Sequence, residues 1–593
     1  MAADSPLTWT DDGQPRSALF GDVYFSAEDG LAESRAVFLQ GCGLPEAWAG
    51  RRRFMVAELG FGTGLNIAAL LLLWQTNQPP GGRLHIASIE AHPITADEAA
   101  RALSHWPELA PIANLLTARW PGRARGRHRV DLPELSATLD LAIMDVASAL
   151  DGWSGPADAW FLDGFSPATN PGMWSDEVLA LVAARSAPGA RAATFTVAGQ
   201  VRRGLAAAGF TVEKRPGFGR KRERLEARLA GEAVDPPARR IAIIGGGIAG
   251  AAAARAVRAL GGEAVVVEAQ TPGAGGSGNP AALVTPRLDA GLGEAARLFA
   301  QAYARATHLY DGVTGAVLAR GVMQLAAGER DTERFAKIAD SDVFEPDALA
   351  VISPEAASAR LGEAATGALD QTGALVIRPE PILAAWSGQV LRAEVARLEA
   401  IDGGWRLLDP AGVVVADADG VVVSSALASR ELLAGVPLQA VRGQASWTTD
   451  SASAPAAAWG GYVLPAPQGL LFGATHDRDD ESTELRPEDH QRNLATLAAT
   501  LPALAAKIDP AALEGRAAIR AVTPDRLPLA GSAGAPGLYV LSGFGSRGFS
   551  LAPLLAEHVA ALALSAPSPI GRAAADLVSP DRFARRAARR SGS

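Results

Sequence analysis

Two glycine-rich segments, each between an apolar stretch and a helix-forming one, constrain the fold of this 593-residue chain more than any other feature. Residues 58–66 are Glu-Leu-Gly-Phe-Gly-Thr-Gly-Leu-Asn, and residues 245–250 are Gly-Gly-Gly-Ile-Ala-Gly. Glycines in a turn that joins a buried strand to a helix let the backbone approach a nucleotide closely. The sequence therefore predicts two nucleotide-binding α/β folds in tandem.

A stretch rich in proline, glycine and acidic residues, 231–238, separates the two patterns. It contains the consecutive prolines Pro236 and Pro237, which fit neither the interior of a helix nor a central strand. We therefore predict a linker at this position. The predicted divisions are a first domain over 1–230, the linker over 231–239, a second domain over 240–575 and a flexible basic tail over 576–593.

Apolar runs predict the sheets of both domains. In the first domain they predict parallel strands of a doubly wound sheet, at 54–60, 84–90, 139–145 and 159–163. In the second domain two runs, 241–244 and 264–268, flank an alanine-rich helix at 251–260. Later strand-like stretches, 405–408 and 412–416, predict an added antiparallel sheet.

Composition excludes several classes of protein. The chain is 48% hydrophobic and 20% charged, as in globular proteins, and no run approaches the roughly 20 apolar residues that span a bilayer. Cys42 is the single cysteine and the eight histidines are scattered, so we expect no disulfide framework, iron–sulfur cluster or metal site. Any redox chemistry must use an organic cofactor. Because the N-terminus carries no export signal, we expect a cytoplasmic protein, and we expect it to be a monomer.

The second glycine segment has the arrangement of a dinucleotide site. Gly245 permits the tight turn, Gly247 lets the backbone approach a pyrophosphate, and Gly250 lets helix and strand pack closely. Glu268 ends the following strand about 20 residues on, where a carboxylate can bind ribose hydroxyls. A glycine-rich turn without a ligand is the alternative reading of these residues.

The segments 274–280 and 541–549 add two further glycine clusters, and 515–531 contains an Arg…Pro-Asp…Pro…Gly pattern. These segments resemble the D-amino-acid oxidase and glycine oxidase class of FAD-dependent enzymes. The resemblance implies buried FAD and oxidation of an amine carbon–nitrogen bond. It implies flavin contacts at Ser277, Asn279, Gly545, Ser546, Arg547 and Gly548. An arginine that binds the substrate carboxylate would be one of Arg442, Arg520 and Arg547.

The first glycine segment differs because the acid precedes the glycines, which is the arrangement of S-adenosylmethionine-dependent methyltransferases. Gly60, Gly62 and Gly64 would let the loop pass under the methionine and ribose of the co-substrate. The remaining predicted contacts are Glu58, Asn66, Glu90 for the ribose hydroxyls and Asp145 for the adenine amine. The alternative is an ordinary set of α/β turns.

Residues 161–174 form the loop Phe-Leu-Asp-Gly-Phe-Ser-Pro-Ala-Thr-Asn-Pro-Gly-Met-Trp. Asp163 stands at the carboxyl end of a predicted strand, where open α/β sheets place their ligands. The loop resembles the Asp/Asn-Pro-Pro-Tyr/Phe loop of amino-group methyltransferases. Methyl transfer to nitrogen needs a free lone pair, so we predict that Asp163 orients the amine and accepts its proton, with Phe165 against the substrate base. A loop-capping aspartate is the alternative.

Together the two halves resemble the family of bifunctional tRNA 5-methylaminomethyl-2-thiouridine biosynthesis proteins over nearly the whole chain. The residues that carry the resemblance are 22–26, 30–39, 58–66, 159–171, 193–196, 201–205, 217–223, 276–279 and 545–548. The implied fold is a Rossmann-like methyltransferase domain, then a FAD-binding Rossmann-type domain with an inserted antiparallel substrate domain, as in glycine oxidase. The extra glycine in the segment 274–278 departs from the family pattern in the loop predicted beside the flavin.

The resemblance implies a two-step modification of the tRNA wobble uridine. The FAD domain would remove the carboxymethyl group of 5-carboxymethylaminomethyl-(2-thio)uridine, and the other domain would methylate the resulting amine. The alternatives are a fused amine oxidase and N-methyltransferase for a small metabolite, or a binding scaffold with inactive sites. For tRNA phosphates we expect three basic segments to outweigh the net charge of -9 locally: 119–129, 215–224 and 582–590.

Overall fold

The structure, a computed structural model, describes residues 5–591 apart from 12, 27, 220, 238, 451 and 452. It divides into two compact units, Met1–Pro237 with Pro567–Arg572, and Ala238–Ala566 with Ala573–Ser593. The junction at Pro237 lies inside the predicted linker. The sequence did not predict that Pro567–Arg572 belongs to the first unit, where a guanidinium nitrogen of Arg129 donates to the carbonyl oxygen of Pro567.

The first unit is built on an eight-stranded sheet with the strand order β5-β6-β4-β3-β7-β8-β10-β9. Its strands and those of a small hairpin are β1 Leu7–Trp9, β2 Pro15–Ser17, β3 Arg53–Leu59, β4 Arg83–Glu90, β5 Gly126–Leu132, β6 Ala137–Ile143, β7 Ala157–Leu162, β8 Ser186–Thr194, β9 Thr211–Pro216 and β10 Glu223–Arg228. Its helices are α1 Gly30–Ser34, α2 Leu65–Asn77, α3 Ala96–Leu103, α4 Ala110–Thr117, α5 Val146–Gly152, α6 Asp176–Ala184 and α7 Gly199–Ala207.

The five central strands β6, β4, β3, β7 and β8 are parallel, as the apolar runs predicted. Alternate residues of β3 explain the two layers of helices. Phe54 and Val56 pack into one buried cluster, and Met55 and Ala57 pack into the cluster on the opposite face. The chain reverses direction across the sheet beside β3, since β4 lies on one side and β7 on the other. This is the crevice where doubly wound sheets bind ligands.

The second unit contains three sheets. Six strands in the order β17-β12-β11-β21-β29-β28 form the nucleotide-binding sheet, and a ten-stranded sheet and a three-stranded sheet complete it. The strands are β11 Arg240–Ile244, β12 Glu263–Glu268, β13 Ala282–Val284, β14 Val317–Leu325, β15 Leu349–Ile352, β16 Ala368–Ile377, β17 Val390–Arg392, β18 Arg397–Ile401, β19 Gly404–Leu408, β20 Val414–Ala418, β21 Gly420–Val423, β22 Gln439–Trp447, β23 Ala457–Ala458, β24 Tyr462–Pro465, β25 Leu470–Gly473, β26 Asp477–Arg478, β27 Glu514–Val522, β28 Leu529–Ser532 and β29 Leu538–Ser542. The helices are α8 Ile248–Ala259, α9 Glu294–Asp311, α10 Glu329–Ala339, α11 Pro354–Leu361, α12 Pro379–Ser387, α13 Ser429–Leu432, α14 Pro487–Thr500, α15 Pro502–Ala505, α16 Gly548–Ala563, α17 Arg572–Val578 and α18 Arg582–Ser591.

The stretches 405–408 and 412–416 fall largely in β19 and β20 of the three-stranded sheet, which is antiparallel as predicted, and the large mixed sheet is built from other strands. One detail of the second unit differs from the sequence predictions. Residues 582–591, predicted as a flexible tail, form helix α18. Arg582 at its start is buried because its guanidinium donates to both carboxylate oxygens of Asp525. None of the helices in the described parts of the chain is long and apolar enough to cross a membrane.

Candidate active sites

The first glycine loop connects β3 to α2 with backbone that favours glycine. Gly60, Gly62 and Gly64 have φ of 90°, 52° and 76°, in the left-handed region. A Cβ on Gly60 would lie 2.5 Å from the carbonyl oxygen of Asp163, so a side chain there would press on the Asp163 loop. Gly64 precedes α2 and no side chain caps the helix. The loop therefore has a backbone that side chains would strain at three positions, which fits the predicted close approach to S-adenosylmethionine.

The two acids predicted to bind the nucleoside lie at the ends of neighbouring strands. Glu90 ends β4, and its carboxylate accepts hydrogen bonds from the amides of Gly62 (2.9 Å) and His92 (2.8 Å). Asp145 follows β6 by two residues and is exposed; one of its oxygens caps α5. Both carboxylates keep lone pairs for a ligand. Contact with ribose or adenine remains a prediction for these residues.

Asn66, in the first turn of α2, joins the buried Glu58 to the half-buried Asp163. Its amide nitrogen lies 3.2 Å from Oε1 of Glu58 and 2.7 Å from Oδ2 of Asp163. The other oxygen of Glu58 accepts a hydrogen bond from the hydroxyl of Ser88, at 2.6 Å. Burial raises the pKa of Glu58 well above its ordinary value. Glu58 is 1% exposed and both its oxygens accept hydrogen bonds from the protein. Its role in the structure is therefore to orient Asn66, and direct contact with the ligand stays a prediction.

Asp163 follows the carboxyl end of β7, beside the glycine loop, as predicted. Burial raises the pKa of Asp163 to about 7, and the nearby carboxylate of Glu33 adds to the shift. The hydrogen bond from Asn66 and the ammonium group of Lys221 oppose it. A carboxyl group with a pKa near neutrality can exchange a proton with an amine at the pH of a cell.

Aromatic side chains enclose the Asp163 loop. Phe165 packs against Phe20 with ring centroids 4.9 Å apart and edge-to-face against Tyr24 at 5.3 Å. Ser166 donates its amide hydrogen to Asp22, at 3.4 Å. The segment 20–24 therefore forms one wall of the site. The sequence analysis quoted Asp22 and Tyr24 within a family motif but did not place them in the site.

The second glycine loop joins β11 to α8 and meets the geometric requirements of a dinucleotide turn. Gly245 has φ of 109°, and a Cβ on Gly250 would overlap the carbonyl oxygen of Gly245. Gly247 is the N-cap residue of α8, and it has no side chain that could accept a hydrogen bond from the first amides of the helix. Glu268 ends β12, where it accepts a hydrogen bond from the amide of Gly246 at 2.6 Å. These residues fit a pyrophosphate at the helix N-terminus and a ribose at Glu268.

The loop 273–278, whose extra glycine set it apart from the family pattern, is held at both ends. The hydroxyl of Ser277 accepts a hydrogen bond from the amide of Ile248, the first residue of α8, at 3.0 Å. The guanidinium of Arg516 donates to the carbonyl oxygens of Gly273, Ala274 and Gly275. Ser277 therefore lies at the predicted pyrophosphate site. Asn279 is half-buried in the same loop, and its contact with FAD stays a prediction.

Two of the three candidate arginines, Arg442 and Arg520, lie on opposite faces of the sheet that contains β22. Arg442 and Gln444 point to one face, where Arg442 is fully buried and donates to Asp489 of α14 (2.5 Å), to Gln444 and to two carbonyl oxygens. Its donors are committed to the protein. Arg442 is therefore a structural residue, and the prediction that it is a candidate for the substrate carboxylate is wrong.

Arg520 lies on the neighbouring strand β27, and its side chain is on the other face of the sheet from Arg442. Its guanidinium covers Gly443, where a Cβ would overlap it, and one nitrogen donates to the carbonyl oxygen of Thr475 at 3.1 Å. Burial lowers the pKa of Arg520, while the nearby Tyr462 opposes that shift. Apart from the bond to Thr475, the described residues leave the donors of this guanidinium for a ligand. Arg520 therefore has the properties that a carboxylate-binding residue needs.

Residues 545–548 form the turn before α16, as predicted for the flavin-binding segment. Gly545 has φ of 57°, Ser546 is exposed, and Gly548 begins the helix. Arg547 donates to the carbonyl oxygen of Pro286 at 3.1 Å, and burial together with Arg287 lowers its pKa to about 10. Arg547 is thus anchored beside a second cation and is a weaker candidate for the substrate carboxylate than Arg520.

In two of the basic segments predicted to face tRNA, 119–129 and 215–224, several basic side chains form ion pairs with acidic side chains of the first unit. The ion pairs are Arg119–Glu134 (2.6 Å), Arg129–Asp140 (2.7 Å), Lys221–Glu33 (2.9 Å) and Arg224–Glu226 (2.7 Å). Arg129 is buried, and the ammonium group of Lys221 also lies 4.0 Å from the Phe195 ring centroid. Arg220 lies outside the described residues. Arg125, Arg215, Lys221 and Arg222 are nevertheless exposed, and their contact with tRNA phosphates stays a prediction. No group of three or more His, Cys, Asp or Glu among the described residues could hold a metal ion.

Comparison with known proteins assigns one family to each unit. Residues 107–230 match the S-adenosyl-L-methionine-dependent methyltransferase family and residues 240–562 match the FAD dependent oxidoreductase family. The crystal structure of glycine oxidase from Geobacillus kaustophilus covers 55% of this chain and 95% of its own, at 22% identity and a TM-score of 0.48.

Two relatives span nearly the full length. The tRNA 5-methylaminomethyl-2-thiouridine biosynthesis bifunctional protein MnmC of Caulobacter vibrioides is 62% identical over 98% of both chains. The protein of the same name from Maricaulis maris is 43% identical over 99% of this chain and 97% of its own. This chain therefore belongs to the MnmC family of bifunctional tRNA 5-methylaminomethyl-2-thiouridine biosynthesis proteins.

Proposed function

We propose that this chain modifies the wobble uridine of tRNA in two steps. The second unit removes the carboxymethyl group of 5-carboxymethylaminomethyl-(2-thio)uridine, and the first unit methylates the amine that remains. The observation that carries the proposal is the occurrence of both sites in one chain that matches its MnmC relatives over almost their full length. The order is chemically consistent, because the product of the oxidation is the amine that the methyl transfer requires.

For the oxidation, we assign Arg520 to the substrate carboxylate. The wobble side chain is an N-substituted glycine, and its carboxylate matches the guanidinium beside Gly443 and Tyr462. Bound FAD supplies the acceptor for the hydride that leaves the carboxymethyl carbon next to the neutral amine. Water then hydrolyses the resulting carbon–nitrogen double bond, which gives glyoxylate and the primary amine. Arg520 fixes which carbon stands in front of the flavin.

For the methylation, we assign Asp163 to the amine. An alkyl ammonium group has no lone pair, so the site must accept a proton before the methyl group of S-adenosylmethionine can be transferred. Asp163 is half-buried beside the glycine loop, and its pKa of about 7 suits this exchange. Phe165, backed by Phe20 and Tyr24, provides an aromatic surface for the uracil ring.

Oxidation kinetics on two kinds of substrate test this proposal against the small-metabolite alternative. The FAD-loaded protein is given either tRNA that carries 5-carboxymethylaminomethyluridine or free N-methylglycine, and glyoxylate or formaldehyde is measured. We expect kcat/KM for the tRNA to exceed that for the free amino acid by orders of magnitude. Efficient turnover of N-methylglycine with none of the tRNA would contradict the proposal and favour the alternative. A protein that binds FAD but oxidises neither would favour the scaffold reading.

A further inference from the structure

The face of the large sheet that presents Arg520 also carries a second arginine. Val441 of β22 is paired with Arg520 of β27 on one side and with Arg478 of β26 on the other. Residues directly opposite one another in antiparallel strands place their side chains on the same face. With strands about 4.8 Å apart, the two arginines start about 10 Å from each other on that face. Arg478 therefore stands beside the carboxylate-binding position.

Three exposed basic side chains lie here, His476, Arg478 and Arg526, and we call them the rim. Thr475, whose carbonyl oxygen accepts from Arg520, immediately precedes His476. The pKa of His476 is lowered by partial burial and by the charges of Arg520, Arg478 and Arg526. Arg526 lies in the turn that follows β27, where its amide donates to the carbonyl oxygen of Thr523, so both exposed arginines border the strand that carries Arg520 or its neighbour. The rim therefore adds the positive charge of two exposed guanidinium groups near the half-buried Arg520.

The acids nearest to the rim are largely neutralised by other partners. Asp477 is paired with Arg492 at 2.9 Å, and Asp480 with Arg486 at 2.6 Å. Asp525, next to Arg526 in the chain, is held by Arg582 and Arg586 of α18, which keep its pKa far below the ordinary value. Asp479 is exposed beside Arg478 and offsets part of the charge. Within the described chain, neither Arg478 nor Arg526 has a carboxylate partner.

We propose that the rim binds backbone phosphates of the tRNA anticodon loop while Arg520 holds the carboxylate of the wobble side chain. The inference rests on the proposed function and adds the surface that would recognise the RNA at the oxidation site. A free amino acid would need only Arg520, which leaves the exposed cations outside the pocket without a role. A polynucleotide has phosphates on both sides of the modified base, and sequence-specific RNA sites take up unstacked loop bases in this way.

The test uses the full-length, FAD-loaded protein and the variant Arg478→Glu/Arg526→Glu. Both residues are exposed, so the variant should fold, and its melting temperature and flavin spectrum verify this. Oxidation is measured on a synthetic anticodon stem–loop with 5-carboxymethylaminomethyluridine at the wobble position, and on the free nucleoside, which has no phosphate. Arg330→Glu on α10, another exposed arginine, is the matched control.

We expect kcat/KM for the stem–loop to fall about tenfold or more in the double variant, with the nucleoside and the control unchanged. The slope of log affinity for the stem–loop against log salt should become shallower by about 1.4, the value for two phosphate contacts to a single strand. Unchanged kinetics on the stem–loop, or an equal loss on the nucleoside, would overturn the proposal that the rim binds phosphates.

Failure of the proposed function gives a different result. In that case the wild-type protein oxidises neither substrate, and filter binding of the stem–loop still tests the rim. Weaker, less salt-dependent binding by the double variant would support it, and binding equal to that of the wild type would overturn it.

Discussion

The side-chain amide of Asn66 donates a 2.7 Å hydrogen bond to Oδ2 of Asp163 and a 3.2 Å one to Oε1 of Glu58. The hydrogen bond from Asn66 to Asp163 stabilises the charged form of Asp163, whereas burial of this carboxyl group favours its neutral form. Asn66 therefore acts as a positioning residue for the proposed base, and Glu58 with Ser88 orients Asn66 in turn.

Replacing Asn66 by alanine should slow methyl transfer and move its pH dependence. Loss of the hydrogen bond costs the Asp163 carboxylate stabilisation, so its pKa should rise and the rate at pH 7 should fall about tenfold, which corresponds to about 1.4 kcal/mol. The measurement is the single-turnover methylation rate against pH. Asn77→Ala, at the other end of α2, is the control and should leave the profile in place. A lower rate with an unshifted profile would contradict the positioning role.

The wild-type methylation rate should itself report Asp163. Because the pKa of this carboxyl is about 7, its proton-accepting form is lost as the pH falls below that value and gained as the pH rises above it. We expect an inflection near pH 7 in the rate of methylation. Asp163→Asn should remove the inflection and lower the rate by about 10²–10⁴-fold, while oxidation by the same protein is unchanged. Methylation that persists in this variant would exclude Asp163 as the base.

Replacing Arg520 of β27 should impair oxidation, whereas replacing Arg442 of β22, on the opposite face of the sheet, should impair stability. Arg520→Met removes a charge-assisted hydrogen bond of about 1.5–3 kcal/mol, so kcat/KM for oxidation should fall roughly 10–150-fold with the fold intact. Arg442→Met removes the fully buried partner of Asp489, which keeps only its ion pair with the exposed Arg492, and should lower the free energy of unfolding by about 3 kcal/mol. Melting curves and oxidation kinetics distinguish the two outcomes. A stable, inactive Arg442 variant beside an active Arg520 variant would reverse the assignment.

Gly60→Ala tests whether the glycine loop between β3 and α2 binds S-adenosylmethionine. The added Cβ would meet the carbonyl oxygen of Asp163 at 2.5 Å in backbone with φ of 90°, so the loop must shift. We expect loss of S-adenosylmethionine binding in calorimetry and loss of methylation, with oxidation preserved. Gly81→Ala is a control with similar backbone, at φ of 69°, and open space around its Cβ position. Equal affinity in both variants would show that the loop tolerates the shift.

The sequence allowed the local features to be predicted because each depends on neighbouring residues. Strands β3, β4 and β11, the glycine turns after β3 and β11, and Asp163 after β7 all follow from apolar runs and turn residues within short windows. The same reasoning failed for features set by distant pairing. Nothing near Arg442 in the sequence shows that Asp489, on a helix 47 residues later, occupies its guanidinium.

Charge was the least predictable property of the sites. Arg129 looked like part of a basic surface, yet it crosses to Asp140 on the adjacent strand β6 and is buried there. Conversely, Arg478 is isolated in the sequence and comes near Arg520 only through the pairing of β26 and β27 with β22. Local charge counts cannot distinguish these cases, because partners are decided by strand register.

Mass spectrometry of nucleosides tests the central claim most directly. The FAD-loaded protein is incubated with tRNA that carries 5-carboxymethylaminomethyl-(2-thio)uridine, with and without S-adenosylmethionine, and the tRNA is then digested. The account predicts that the 5-aminomethyl nucleoside accumulates without S-adenosylmethionine and that the 5-methylaminomethyl nucleoside replaces it when S-adenosylmethionine is present. A tRNA whose wobble nucleoside is unchanged under both conditions would contradict it.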